Sequence, residues 1–168
     1  MEIKARLDFR KMLALLYVVC FGIYLVVGLT PAEAAHYNVI TEIKIPAIQL
    51  ESKVAALKLE NHRLETPAEI VGSFSRTENK TLLIGHASTV FNNLSEVEVG
   101  DEIFYDGKIY LVDKIEMVPK EDVEMEALLD AAEVDTLVMM TCAGEDLGSG
   151  DSTKRLILTA EIITSSNE

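Results

Sequence analysis

The chain has 168 residues, a mass of 18.5 kDa and a formal net charge of −13, from 28 acidic and 15 basic side chains. A chain of this length can bury the core of one domain but hardly of two. Such acidity argues against nucleic acid as a partner, because binding to a phosphate backbone depends on an excess of Lys and Arg.

Residues 1–29 predict a basic cytoplasmic tail and a membrane anchor. Residues 1–11 carry four basic and two acidic side chains, and residues 12–29 then run for 18 residues without a charge. That length suits a transmembrane helix, and the basic start predicts a single-pass protein of the cell membrane with its N-terminus in the cytoplasm and its domain outside. A signal peptide removed after the small-x-small sequence Ala32-Glu33-Ala34 is the alternative.

The rest of the chain divides into a linker at residues 30–41 and one domain at residues 42–168. Cys20 lies in the uncharged run, so Cys142 is the single cysteine of the domain and cannot form an intradomain disulfide. A lone thiol in an oxidising compartment is a liability unless it is buried, pairs with another chain or reacts as a nucleophile. Cysteine usage alone leaves a nucleophile and an inert buried thiol equally open.

The first part of the domain predicts an extended segment and then a short helix. Residues 43–50 are rich in Ile and Leu, and Pro46 among them marks an edge strand or a bend. Residues 53–64 scatter apolar side chains among charges, which favours a short helix or turn. His36 and His62 are expected to be solvated surface residues.

A short apolar run, Thr81–Gly85, follows the charged turn Glu78–Lys80 and is predicted to be a buried strand. His86 comes directly after it. A histidine in such a place is more often a hydrogen-bonded structural residue, unless a reactive partner can be named. Cys142 is the candidate partner, because it too follows an apolar strand-like run.

The clearest hairpin spans residues 102–118, around a two-residue turn, Asp106-Gly107, of the type that takes positive φ at both positions. The alternating residues predicted to form the buried face of its second strand are Ile109, Leu111, Ile115 and Met117. Residues 120–133 break the β pattern and predict a short helix, with acids early in the run.

Thr136–Glu161 predicts a β-loop-β unit. Its apolar runs, Leu137–Thr141 and Leu156–Ile163, flank a polar loop that contains glycines. Cys142 lies at the end of the first predicted strand and Arg155 begins the second. Pairing of the two strands would therefore bring the thiol and the guanidinium close together at the same end of the strand pair. The loop glycines open no helix, which makes a nucleotide site a weak interpretation.

These elements predict a mostly β domain. Roughly six strands, one or two short helices and polar loops favour a closed or nearly closed antiparallel β-barrel with an aliphatic core that contains no Trp.

Three residues supply the parts for cleaving an acyl bond through a thioester: the Cys142 thiol, the His86 imidazole and the Arg155 guanidinium. A thiolate is the reactive nucleophile, and histidine can take or return its proton. An arginine that keeps its charge can hold a developing oxyanion or orient a peptide. One Cys with scattered His residues has no metal-ligand spacing, so neither a metal nor another cofactor is predicted.

The chain from about Ile43 to Ile163 resembles the sortases, membrane-anchored cysteine transpeptidases of Gram-positive surfaces. Residues 43–48, IKIPAI, are similar to the family's opening I-x-I-P-x-I strand, and Leu83-Ile84-Gly85-His86 is similar to the strand that carries its catalytic histidine. The other matching segments are Phe91-x-x-Leu94, Gly100-Asp101-x-Ile103, Thr141-Cys142 at the end of a T-L-x-T-C signature, and Arg155 at the place of the catalytic arginine.

The resemblance implies a sortase-like β-barrel that cleaves a C-terminal LPXTG-type sorting signal after the threonine. The acyl group would rest on Cys142, with His86 and Arg155 as catalytic partners and Thr141 as a substrate-binding residue. An amine of a cell-wall precursor or a pilin lysine would then receive the surface protein. Residues 65–80 carry only scattered acids, unlike the calcium site of some members.

The sequence departs from the family in two respects, and it leaves two other functions open. Val138 and Met139 replace the first Thr and Leu of the signature, and no Trp is present for an Asp-Pro-Trp lid. These departures bear on the subclass more than on the activity. The alternatives are a non-catalytic, membrane-tethered β-barrel that binds a peptide or another surface protein, with Cys142 merely buried, and a thiol peptidase that uses water as acceptor.

Overall fold

The computed structural model describes residues 37–60, 63–148 and 151–163. The predicted anchor at 1–29, most of the linker, His36 and His62 lie outside the described residues. Among the residues that are described, no helix is long and apolar enough to cross a membrane.

Ten β-strands and one short α-helix are present in the described part of the chain. The strands are β1 (Val39–Ile45), β2 (Leu50–Ala56), β3 (Leu59–Glu60), β4 (Arg63–Leu64), β5 (Val71–Thr77), β6 (Lys80–Ile84), β7 (Glu102–Tyr105), β8 (Lys108–Pro119), β9 (Thr136–Gly148) and β10 (Asp151–Ile162). The helix α1 spans Met125–Leu129, and the 3₁₀ turns are Pro46–Ile48, Leu94–Glu96 and Lys120–Asp122.

Eight of the strands close into a barrel in the order β1-β2-β5-β6-β9-β10-β8-β7, with β7 pairing back to β1. All neighbours are antiparallel except β2 with β5 and β6 with β9, which are parallel. The strands β3 and β4 form a separate two-stranded sheet. The predicted closed, mostly antiparallel β-barrel is therefore confirmed, with more strands than the six expected.

The barrel interior is filled by aliphatic side chains and three aromatic rings, each at most 8% exposed. They include Ile43, Ile45, Val54, Val71, Leu83, Ile103, Leu137, Met139 and Leu158, together with Phe91, Tyr105 and Tyr110. This is the aliphatic core that the composition predicts.

The strands β6, β9 and β10 are buried on both faces. Leu83 and Met139 point into the barrel, whereas Leu82 and Val138 belong to a second apolar cluster on its outside. Leu128 and Leu129 from α1 pack against that outer cluster. Strands covered on both sides consist of continuous apolar runs, which is why Thr81–Gly85 was correctly predicted as a buried strand.

The predicted hairpin is confirmed as β7 and β8. Both turn residues have positive φ, 50° at Asp106 and 74° at Gly107. The predicted buried face of β8 is wrong at Ile109, Leu111 and Met117, which are 39%, 38% and 51% exposed, whereas Ile115 packs against the core as predicted. Tyr110 and Val112, 2% exposed each, point into the core instead. The run Ile109–Val112 is apolar at every position, so alternation alone could not decide which side faces inward.

Residues 53–64 form strands and not the short helix or turn that the sequence predicts. The segment contains the end of β2, then β3 and β4. Val54 and Ala55 are buried because β2 pairs with β1 on one side and β5 on the other. Tertiary pairing decides the conformation here, against a weak local spacing.

The β-loop-β unit is confirmed, but its strands are longer than predicted. The strand β9 continues to Gly148 and β10 begins at Asp151, so Cys142 and Arg155 lie within a ladder and not at the ends of strands. Residues 120–133 contain the predicted short helix as α1, preceded by a 3₁₀ turn.

Candidate active site

A groove of about 540 Å³ lies on the outer face of the barrel, over the C-terminal end of β6 and the middle of β9. Its lining residues are Leu59, Leu64, Thr66, Phe74, Ile84, Gly85, His86, Met125, Glu126, Leu129, Met140, Thr141, Cys142, Asp151 and Arg155. The three predicted catalytic residues and Thr141 therefore lie at one groove.

Parallel pairing of β6 with β9 places His86 beside Cys142. The ladder runs to Ile84 opposite Met140, so the residues that follow on each strand leave the sheet side by side. The Gly85 amide donates to the Met140 carbonyl at 3.4 Å, and the Thr141 hydroxyl donates to the Gly85 carbonyl at 2.8 Å. These bonds fix the start of the His86 loop against β9.

The loop after His86 folds back on itself and into the core. The His86 carbonyl accepts from the Thr89 amide at 3.2 Å and from the Phe91 amide at 3.0 Å. Phe91 is 1% exposed, and its ring packs so closely on Gly85 that a Cβ there would lie 2.6 Å from Phe91 Cδ2. Only a residue without a side chain fits at position 85 without movement of its neighbours.

Cys142 and Arg155 are direct partners across the antiparallel ladder of β9 and β10. Residues directly opposite on neighbouring strands point to the same face of the sheet. Alternation from Val138 on β9 and Ile157 on β10 places that face outside the barrel, where the groove lies. The expected meeting of thiol and guanidinium follows from this register.

A β-bulge interrupts the ladder two residues after Cys142. Ala143 pairs with Lys154 and Asp146 with Ser152, so Gly144 and Glu145 together oppose the single residue Thr153. Gly144 has a φ of +82°, the left-handed conformation that a bulge of this type requires. The bulge bends the hairpin immediately beyond the cysteine.

The Arg155 side chain is only 16% exposed and is held by three hydrogen bonds. Its Nη2 donates to Asp151 Oδ1 at 2.8 Å, and its Nη1 donates to the carbonyls of Ser152 at 3.0 Å and Lys154 at 2.9 Å. Lys120 donates to the other oxygen of the same carboxylate. Hydrogen bonds from Lys120 and then Arg155 hold the pKa of Asp151 well below its usual range.

Thr141 is 4% exposed, and its hydroxyl is engaged by the Gly85 carbonyl. It lines the groove, as a substrate-binding residue should, but its observed hydrogen bond joins two parts of the protein.

Sequence reasoning missed two features of the groove, an apolar wall and the carboxylate of Asp151. Met125 and Leu129 of α1 form part of the wall, together with Phe74 and Met140. No sequence motif marks either feature, because each is formed by elements that are distant in sequence and adjacent in the fold. Within the described residues, no group of three or more His, Cys, Asp or Glu could hold a metal ion.

A family model described as Sortase domain matches residues 43–163, more than half of the chain. The chain belongs to the sortase family. The resemblance inferred from the short motifs is thereby confirmed. No curated protein matches the chain significantly.

Solved sortase structures share the fold at low sequence identity. A sortase C1 of Streptococcus agalactiae has 21% identity and a TM-score of 0.58, covering 78% of this chain and 70% of its own. Sortase A of Listeria monocytogenes has 17% identity and a TM-score of 0.58, covering 74% and 87%. A sortase C from Clostridium perfringens has 21% identity and a TM-score of 0.57, covering 76% and 72%. Sortases A and C fit about equally well, so the fold does not assign a subclass.

Proposed function

We propose that this sortase is a cysteine transpeptidase that cleaves a C-terminal LPXTG-type sorting signal and transfers the acyl group to an amine. The observation that carries the proposal is the facing pair of Cys142 and Arg155 at a groove that His86 also lines. A nucleophile, a proton carrier and a permanent cation at one groove are the parts that acyl transfer through a thioester needs.

In the first half-reaction, the Cys142 thiolate attacks the carbonyl carbon of the scissile peptide bond, and the carbonyl electrons move to oxygen. Arg155 donates hydrogen bonds to that oxyanion. The intermediate collapses to a thioester as the amine of the next residue leaves with a proton from His86.

In the second half-reaction, an incoming amine attacks the thioester and loses a proton to His86. An amide bond forms and Cys142 leaves as the thiolate. The acceptor is proposed to be an amine of a cell-wall precursor or a pilin lysine, and the substrates to be surface proteins that end in a sorting signal. The domain would act outside the cell, held at the membrane by residues 12–29.

The groove suits an extended peptide with apolar side chains. Its wall is mainly apolar, with Phe74, Met125, Leu129 and Met140 beside the reacting residues. Apolar pockets with a few placed polar groups are typical of ligand sites.

The test uses the full chain in detergent with a fluorogenic LPXTG peptide and an added amine such as triglycine. Cys142→Ala is expected to abolish both cleavage and transfer, and mass spectrometry of the wild type should find the acyl adduct on Cys142. His86→Ala should lose several orders of magnitude in turnover. Cys20→Ala removes the other cysteine of the chain and should leave turnover unchanged. Turnover that persists in Cys142→Ala would refute the nucleophile assignment.

The same assay separates the two alternative functions. A non-catalytic binding module would bind its peptide equally well after Cys142 is alkylated and would never form an adduct. A thiol peptidase would release the free acid at the same rate with and without triglycine. A transpeptidase instead yields the triglycine adduct as the main product.

A further inference from the structure

The donors of the Arg155 guanidinium can be counted. An arginine carries five N–H donors in a planar fork. Both hydrogens of Nη1 are taken by the carbonyls of Ser152 and Lys154, and one of Nη2 by Asp151 Oδ1. Within the part of the chain that the structure describes, these three bonds leave two donors, the Nε–H and the second Nη2–H, for a substrate.

The carboxylate that holds Nη2 is itself held from its other side. Lys120 donates to Asp151 Oδ2 from the 3₁₀ turn that follows β8. This turn lies next to β10, because Pro119 at the end of β8 pairs with Lys154. The cluster contains two cations, Lys120 and Arg155, and one anion, Asp151. The carboxylate neutralises only one of the two positive charges, so a net positive charge remains on the β10 side of the Cys142 thiol.

The Arg155 side of this cluster differs from an ordinary surface ion pair, although Lys120 and Asp151 themselves are 46% and 32% exposed. The Arg155 side chain is 16% exposed, whereas the partners of the pair between Arg76 and Glu126 are 51% and 79% exposed. Exposed pairs contribute little, because solvent screens them and both side chains stay mobile. A mostly buried guanidinium with three fixed acceptors keeps one orientation.

We propose that Asp151 is a positioning residue for the transfer reaction, acting through Arg155. Its carboxylate, anchored by Lys120, fixes the rotation of the guanidinium so that the two remaining donors stay aimed into the groove. The inference rests on the proposed function, because it assigns Asp151 a role in that same reaction.

The kinetic test compares purified full-length variants with the LPXTG peptide and triglycine. Asp151→Asn keeps the shape but removes the charge, and it should lower kcat about 10- to 100-fold with little change in KM, since misplacing one catalytic group by about 1 Å can cost that much. Asp151→Glu restores the charge and should recover part of the loss. Asp135→Asn is the matched control, because it also removes a carboxylate paired with a lysine, Lys108, but at the residue immediately before β9.

A double-mutant cycle separates positioning from a general structural effect. The rate of Cys142 acylation is followed by mass spectrometry. The effect of Asp151→Asn on this rate is measured once in the wild-type background and once in the Arg155→Ala background. A residue that acts only through Arg155 has no further effect once Arg155 is absent. An equal fractional loss in both backgrounds would overturn the inference.

A measurement by NMR spectroscopy tests the orientation of the Arg155 guanidinium independently of turnover. In ¹H–¹⁵N spectra of the guanidinium groups, the Arg155 signals are assigned by their loss in Arg155→Lys. Separate, slowly exchanging Nη signals are expected in the wild type and averaged ones in Asp151→Asn. Separate signals that persist in Asp151→Asn would overturn the inference.

A wild type that transfers nothing to triglycine would refute the proposed function, whereas an active wild type with an equally active Asp151→Asn variant refutes only the inference.

Discussion

At the scale of single residues, the chemistry of the site follows from side-chain types that are rare in this chain. Cys142 is the single cysteine of the domain, and His86 is the only histidine among the described residues. Arg155 has the weaker signal, since an arginine at the start of an apolar strand is often a solvated end residue. The structure instead shows Arg155 within the β9–β10 ladder, with a mostly buried side chain and directly opposite the cysteine.

Replacement of Arg155 by lysine tests geometry separately from charge. A lysine has three donors at one point and no planar fork, so it cannot reach Asp151, two carbonyls and a substrate oxyanion together. We expect Arg155→Lys to fold with unchanged Tm while turnover falls about 10²- to 10³-fold, the usual loss of one oxyanion donor. The measurements are thermal unfolding and the fluorogenic assay.

The control for this prediction is Arg76→Lys. It makes the same substitution in an exposed ion pair with Glu126 and should keep wild-type turnover. Turnover of Arg155→Lys within a few-fold of wild type would remove Arg155 from the mechanism.

Residue types alone identify candidate reactive groups but not the contacts that hold them in place. Asp151 could not be singled out from the sequence, because the domain has many acidic residues and nothing local distinguishes this one. Its role depends on the pairing of β10 with β8, which brings Lys120 to the same carboxylate. Thr141 shows the opposite case, a residue placed correctly at the groove whose hydroxyl is already bonded to the Gly85 carbonyl.

At the scale of elements, the sequence predicts strands well where burial gives one clear pattern. Thr81–Gly85 and the hairpin around Asp106-Gly107 were found, because a two-sided apolar run and a turn dipeptide are strong local signals. Residues 53–64 and the inner face of β8 were wrong for a shared physical reason. In both places the local pattern is ambiguous, so pairing with the neighbouring strands decides the outcome.

The element that carries His86 depends on the close contact between Gly85 and Phe91. A Cβ at position 85 would lie 2.6 Å from Phe91 Cδ2 and 2.7 Å from Val90 Cγ1, so Gly85→Ala forces the loop away from β9. We expect a cost of about 1–3 kcal/mol in the free energy of unfolding, as for other overpacked sites. Turnover per folded molecule should also fall, because His86 moves with the loop.

Gly107→Ala serves as the control for Gly85→Ala. Its φ of +74° makes alanine strained, but nothing lies within 4 Å of the added Cβ, and the β7–β8 turn is remote from the groove. It should lower the free energy of unfolding by about 1 kcal/mol while turnover per folded molecule stays unchanged. If Gly85→Ala behaves in the same way, the contact with Phe91 serves stability alone.

At the scale of the whole molecule, the eight-stranded sheet closes on itself through the pairing of β1 with β7. Closure of β1 onto β7 leaves the barrel with no free edge for association with another chain. The strand β1 begins at Val39, three residues before the domain boundary expected from the sequence. Any tether that ends in the linker therefore leads directly into the sheet.

The predicted anchor is tested on intact, wall-stripped cells. Eighteen uncharged residues after a basic start favour a membrane-spanning helix with the domain outside. Added protease should release the domain from such cells, and the full chain should fractionate with membranes until detergent is added. Val19→Arg places a charge in the middle of the run, which costs about 2.5–3.5 kcal/mol at a helix centre and should weaken membrane retention.

The competing outcome is a removed signal peptide, and the two can be told apart by the N-terminus of the protein recovered from cells. Cleavage after Ala34 would give a mature protein that begins near Ala35 and is free of membrane, and Val19→Arg would then affect export and not retention. An anchored enzyme instead keeps Met1 or Glu2 in the membrane fraction. We propose that the substrate is itself held at the same membrane, so that an anchored sortase meets it on a surface and not in solution. Loss of the anchor should therefore lower attachment of surface proteins in cells while leaving turnover of the soluble LPXTG peptide unchanged.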